Sequence, residues 1–259
     1  VATDLTRPLS RRWGRAAVAA VLPVAVLVAW QLLSTSGLFT ITQLPSPELV
    51  WQAALDLGRR GLLGQYVAIS TQRVLIGFAA GAALGIVLGA FVGLSRFWAA
   101  FFSFTLASIR AVPSLAWVPL LIIWFHIGEA EKVILVAIGA FFPVYTTVAG
   151  SLRHVDPHLI EAGRAYGYSG ARLFGAVQLP AVLPSVVSGL RLALAQAWLF
   201  LVAAELLGAS MGLGYLLTQS QQVGRTDQTF LAIFLLAILG SVSDLVVGLV
   251  SRVATRRWS

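Results

Sequence analysis

Long apolar stretches separated by short polar connections dominate the 259-residue chain. Six of them reach or approach the roughly 20 helical residues that cross a hydrocarbon core of about 30 Å. They cover residues 16–33, 74–94, 111–125, 133–148, 184–207 and 230–250. The third and fourth are short by this measure, and a further apolar stretch over residues 97–109 precedes the third, either lying along the interface or extending that span. The pattern predicts an all-α polytopic membrane protein of about six transmembrane helices. It divides into a tail over 1–15, one transmembrane domain over 16–250 and a tail over 251–259.

Two finer patterns sit inside this frame. Ser46-Pro47-Glu48 supplies a helix cap, a proline at the first helical position and an acid in the first turn. With Val50, Ala53 and Leu57 on one side and Gly58 as the stop, this predicts a short surface helix. In the second span Gly77, Gly81, Gly85, Gly89 and Gly93 recur every four residues. Such a stripe advances by about 40° per step and predicts close packing against a second helix that crosses at an angle.

Composition agrees with the pattern. The chain is 58% hydrophobic and 11% charged, with a mean hydropathy of +0.87, which leaves too few polar residues to cover a soluble surface. The net charge of +8 would raise the question of nucleic acid in a soluble protein, but here the positive charges cluster in short loops and tails, so no nucleic-acid role is expected. With the N-terminus in the cytoplasm, the inside segments hold Arg7, Arg11, Arg12, Arg15, Arg96, Arg153, Arg164, Arg172, Arg252, Arg256 and Arg257. The outside segments hold Arg59, Arg60, Lys132 and Arg225, so both termini are expected in the cytoplasm. Arg73, Arg110 and Arg191 are left near or within membrane depth. The first stretch follows its arginines as a signal peptide would, yet no small-residue cleavage site leads into a soluble domain, and it is expected to be a retained span. The lack of cysteine removes disulfides, thiolate metal sites and cysteine nucleophiles together.

The inside loop over residues 155–180 carries the most information. Asp156 caps a first short helix with Pro157 at its start, Gly167 ends it, Ser169 caps a second, and Pro180 and Pro184 limit that second helix. On the first helix Leu159, Ala162, Gly163 and Tyr166 share a face with small residues at its centre, flanked by Glu161 and Arg164. A face of that shape suits a groove on another protein; the alternative is a connection lying against its own bundle.

Glu161-Ala162, Gly167, Val177, Leu179 and Pro180 reproduce the spacing of the EAA motif, and the chain resembles the permeases of ATP-binding-cassette importers. Gly163 stands where that family usually has alanine and Val177 where it has isoleucine, each within its size class. Further segments, among them Pro113-Ser114-Leu115-Ala116-Trp117 and Ala203-Ala204-Glu205-Leu206, look like the branch importing sulfonates, taurine, nitrate and bicarbonate, nearest to aliphatic-sulfonate permeases. The resemblance implies coupling helices between spans four and five, and an ATPase contact through Leu159, Glu161, Ala162, Gly163, Arg164, Tyr166, Gly167, Leu179 and Pro180. It also implies a second permease copy, separate ATPase subunits that bind ATP and magnesium, an extracytoplasmic substrate-binding protein, and a place in the bacterial inner membrane. The chain itself shows no phosphate-binding loop of the form GxxxxGKS or GxxxxGKT, and neither a cofactor site nor a catalytic role is expected of it.

Arg110, Trp117, Arg191, Trp198 and Glu205 are the candidates for the translocation pathway. A charge at membrane depth points to a bundle interior or a wet path, so Arg191 is expected either to attract an anion or to snorkel. Glu205 either shapes an outer gate or holds a backbone amide or arginine, and Asp244 is expected to pair with Arg252 or another inner arginine. His154 and His158 are four apart, but Pro157 lies between them and no third ligand is adjacent, so no metal site is expected. A secondary transporter is the alternative; it would need coupling carboxylates near the midplane, whereas Glu205 and Asp244 lie near span ends. Gly167-Tyr168-Ser169-Gly170 matches a serine-protease pattern without a histidine in a later span to act as base.

Overall fold

The structure, a computed structural model, describes residues 9–255, with side chains from Val21 to Leu249 apart from Ser114. Arg7, Arg11, Arg12, Arg15, Arg252, Arg256 and Arg257, and with them most of both tails, lie outside the described side chains. Among the described residues there are helices and no strands. In order they are α1 (Leu9–Thr35), α2 (Pro47–Arg59), α3 (Leu62–Leu94), α4 (Arg96–Ala111), α5 (Val118–Phe125), α6 (Glu129–Arg153), α7 (Pro157–Ala165), α8 (Gly170–Leu173), α9 (Leu179–Gly208), α10 (Leu213–Gln222) and α11 (Thr226–Thr255).

Four helices have the length and apolar content of a membrane span: α3, α6, the continuous helix Gly170–Gly208, and α11 over Thr226–Leu249. The first expected span coincides with α1, whose stretch with described side chains, Val21–Thr35, is shorter than a span. The third is not a straight helix over 111–125. Pro113 cannot donate a backbone hydrogen bond and biases Val112 to an extended conformation, observed at φ −73° and ψ 123°. The chain therefore bends by 82° between α4 and the helical segment ending at Phe125.

The second and fourth spans are longer than their apolar cores. Helix α3 begins at Leu62, a dozen residues before the expected start, and α6 begins at Glu129 and buries Lys132, in place of the outside loop expected there. Ser46 caps α2 by accepting from Leu49 N–H, but Gly58 lies inside that helix; the left-handed turn is at Gly61, φ +72°.

The fold is organised around α3 and α6, which run parallel. Beta carbons on the stripe would press Gly77 on Val136, Gly85 on Val144 and the Phe141 carbonyl, Gly89 on Val148 and Gly93 on Leu152, while at Gly81 the obstacle is the carbonyl of Ala137. One helix, α6, thus meets all five glycines. Helix α9 packs antiparallel across the pair, and Val74, Val136, Ala140, Val144, Ala193, Ala197 and Leu201 close the central core. Arg96, Arg153, Arg164 and Arg172 gather at one end of the bundle, the basic end; Glu129 and the connection from α9 to α10 mark the opposite end.

A methyl group at Gly81 is expected to lower the thermal midpoint of the detergent-solubilised protein, since overfilling a packed contact costs about 1–3 kcal/mol. Gly64→Ala tests the same helix where nothing lies within 4 Å of the added carbon, and it should be neutral or slightly stabilising. Equal midpoints for the two variants would contradict the close contact.

Candidate functional site

At the basic end the short helix α7 stands between α6 and α8. Asp156 accepts from His158 N–H at 2.9 Å, Pro157 occupies the first turn, and Gly167 at φ +80° closes the helix with Tyr168 N–H donating to the Gly163 carbonyl at 3.0 Å. These are local signals, and the first helix of the loop follows them. The second does not end at the prolines. α8 passes through a π-helical stretch, Phe174–Gln178, into α9 without interruption. There Leu179 N–H donates to the Phe174 carbonyl, five residues back, and this wider turn relieves the ring clash Pro180 would otherwise make.

The rotation of α7 differs from the expected docking face. Gly163 is buried, and a beta carbon there would press on Leu173 at 2.7 Å and Val177 at 2.9 Å. Ile160 turns the same way and packs on the central core. Leu159, Ala162 and Tyr166 face outward, Tyr166 with 83% of its surface exposed, and Glu161 and Arg164 are exposed beside them. Gly163 is therefore the seat of α7 on its own chain, and the free face consists of Leu159, Ala162 and Tyr166. Leu179 is exposed and Pro180 half-buried on the following helix.

Between α6 and α9, toward the basic end, lies a groove of about 470 Å³. Thr146, Thr147 and Ser151 line one wall, Ser185 and Ser188 the other, with Leu192 beside them. Gly189 allows the approach, since a beta carbon there would meet Thr147 at 2.7 Å. None of these hydroxyls is among the expected pathway residues. Their signal in the sequence is the pairing of Thr147 with Ser151 and of Ser185 with Ser188, four and three residues apart on two spans at the same depth.

At the opposite end a buried polar cluster is built on Arg73. Its Nε donates to Glu129 at 2.7 Å, and its Nη1 donates to Glu205 and to the Met211 carbonyl, both at 2.7 Å. The Ser70 hydroxyl donates to Glu205 at 2.8 Å and accepts from Leu213 N–H, while Gly214 N–H donates to the same carboxylate at 2.7 Å. Glu205 thus holds both an arginine and a backbone amide, and it is 1% exposed. Glu131 and Lys132, each 2% exposed, pair nearby at 3.2 Å, with Lys132 also donating to the Gly128 carbonyl.

The pathway candidates do not converge. Arg110 is exposed on α4, and Trp117 is half-buried against α5 and α6. Trp198 is buried and donates to Ser243 at 2.9 Å. Arg191 donates to Asp244 at 2.7 Å, so Asp244 pairs with an arginine of α9, and the positive charge assigned to an anion is already neutralised. Arg191 and Glu205, fourteen residues apart on α9, lie about 21 Å from each other along the helix axis. Among the described residues no three potential metal ligands converge, and His158 lies beside Glu161 at 4.0 Å.

Residues 81–258 match the family of binding-protein-dependent transport system inner membrane components. SsuC of Escherichia coli K12, named as an aliphatic sulfonates transport permease protein, is 41% identical over 238 residues, spanning 92% of this chain and 90% of that one. The Bacillus subtilis protein of the same name is 37% identical over 231 residues, spanning 89% and 84%. TauC of E. coli, a taurine transport system permease protein, is 32% identical over 248 residues, spanning 93% and 90%. In fold, the chain is similar to a structure of the MetNI methionine ABC transporter, with a TM-score of 0.58 at 21% identity over 83% of this chain and 99% of that one. The chain belongs to this family of ATP-binding-cassette transporter permeases and is a multi-pass protein of the bacterial inner membrane.

Glu205→Leu leaves Arg73 without its buried partner and is expected to cost roughly 3–5 kcal/mol of stability. The double variant Arg73→Met with Glu205→Leu should recover part of that loss, as thermal midpoints in a double-mutant cycle will show. Additive losses would mean that the two charges are not energetically coupled.

Proposed function

We propose that this permease takes up a small organic oxyanion of the aliphatic-sulfonate class, driven by ATP hydrolysed in a separate subunit. In this reading the basic end is cytoplasmic, a second copy of the chain completes the pathway, and an extracytoplasmic binding protein delivers the solute at the Glu129 end. The names of the 41% and 37% identical relatives support the substrate class.

The observation that carries the coupling mechanism is α7. It stands free of the central core on its Leu159, Ala162 and Tyr166 side, while Ile160 and Gly163 seat it on the chain's own helices. A partner gripping the exposed face would pull on α8, and α8 is the beginning of the 39-residue helix that forms one wall of the groove. Coupling then requires no hinge between the contact and the pathway. The π-helical stretch at Phe174–Gln178 is the only departure from α geometry within that helix. ATP and magnesium belong to the partner, which supplies the phosphate chemistry that this chain's sequence has no loop to perform.

The test is uptake of labelled ethanesulfonate by the complete complex in liposomes that sustain no ion gradient, with ATP inside. Wild-type complex is expected to accumulate the sulfonate only with ATP, which a secondary transporter would not do. Tyr166→Ala combined with Leu159→Asp should cut uptake at least about tenfold, the consequence of losing hot-spot contacts each worth more than about 1 kcal/mol. Full uptake by that variant would remove α7 as the mechanical contact.

A further inference from the structure

Among the described residues, three of the cavities that open on the bundle are of comparable size, and they differ in what they suit. One, of about 400 Å³, lies among Trp30, Val50, Trp51, Leu231 and Phe234; another, of about 490 Å³, lies among Leu84, Leu88, Val133, Ile134 and Phe141. Both are apolar and suit lipid chains or a neighbouring helix. The third is the α6–α9 groove, whose walls carry five hydroxyls.

A hydroxyl that lines a groove and is not bonded within the chain is free to donate to whatever occupies the groove. Thr146 and Ser188 satisfy theirs by donating to backbone carbonyls of their own helices, at 2.9 Å and 3.1 Å. Among the described residues the hydroxyls of Thr147, Ser151 and Ser185 have no hydrogen-bond partner, although all three line the groove. They are half-buried or exposed and open to the groove. The volume of about 470 Å³ falls in the range of small-molecule sites. The nearby cation adds little net attraction, because Arg191 is paired with Asp244.

We propose that this groove holds the oxyanion headgroup of the transported solute in transit, through hydrogen bonds from Thr147, Ser151 and Ser185, with the aliphatic part against Leu192. The proposal rests on the oxyanion-import reading above and names the residues that would perform it. Neutral donors suit a transient site, because a pathway must bind strongly enough to admit a solute and weakly enough to release it. Hydroxyls hold an anion less tightly than an unpaired arginine does.

The chain contains no cysteine, so with cysteine-free partner subunits each introduced cysteine is the sole thiol of the permease complex per copy. Thr147→Cys and Ser185→Cys are each assembled with the ATPase subunits and binding protein in liposomes, and Leu84→Cys serves as the control in an apolar cavity. Two thiol reagents are compared, one ending in an ethylsulfonate and one in a trimethylammonium of similar length. The groove cysteines are expected to react at least about fivefold faster with the sulfonate reagent, to lose about tenfold in uptake once modified, and to be protected by ethanesulfonate, as a site donating hydrogen bonds to the anion requires. Leu84→Cys should show no preference and no protection. Equal rates with both reagents, or unchanged uptake after modification of both groove cysteines, would overturn the proposal. If wild-type complex imports no ethanesulfonate, the substrate reading fails, while the ratio of reagent rates still decides whether the groove prefers sulfonates.

Discussion

Lipid chains are as apolar as the helices they surround, so no hydrophobic effect holds α3 against α6, and the pair depends on how closely two backbones can approach. Five glycines spaced over more than four turns make that approach possible, with Val136, Ala137, Val144, Val148 and Leu152 of α6 occupying the space their beta carbons would need. Close contact over that length gains dispersion along both helices and leaves the α3–α6 pair as a rigid plate. α9 packs on it through Ala193, Ala197 and Leu201, small or well-fitted residues that continue the same logic. The groove, the buried ion cluster and the seat of α7 are all placed by this three-helix unit.

The largest polar clusters lie toward the two ends, while Trp198 pairs with Ser243 between them and the Thr71 hydroxyl is buried without a partner. At the Glu129 end Arg73 links α3, α6, α9 and the turn before α10, and Gly212 at φ +123° leaves room for the Glu205 carboxylate, which accepts from Arg73 and from Gly214 N–H. Buried pairs of this kind add little net stability over an apolar replacement, and here the pair joins α3 to α9. At the basic end the groove and α7 both adjoin one continuous helix, through Thr147 against Gly189 and Gly163 against Leu173 and Val177. Motion imposed on α7 therefore reaches one wall of the groove, α9, while the other wall, α6, is held to α3.

What could be read in the chain was what depends on local chemistry. Asp156, Pro157 and Gly167 set the limits of α7 because caps and left-handed turns act within a few residues, and the glycine stripe announced a close helix contact because its spacing is its mechanism. Where the answer lay in residues far along the sequence, the reading stopped short. The inward turn of Gly163 is decided by Leu173 and Val177, and no property of α7 alone distinguishes it from an outward one. Pro180 reads as a helix stop, but the π-helical turn before it absorbs the proline. Arg73 and Glu205 stand at matching depths in the second and fifth spans, yet their pairing follows only once α3 and α9 are antiparallel neighbours. Arg191 looks like an attraction for an anion until Asp244 is found against it.

The proposal is mechanical: an ATPase would grip the outer face of α7, and the inner face would transmit the pull to α8 and α9. Cross-linking from the α7 surface in the assembled complex tests it most directly, since the chain has no cysteine of its own to confuse the result. A short bifunctional thiol reagent applied to Ala162→Cys should join the permease to a cysteine in the ATPase groove, and applied to Ile160→Cys it should not. Cross-linking at Ile160 in place of Ala162, or at neither position in an intact complex, would contradict the account.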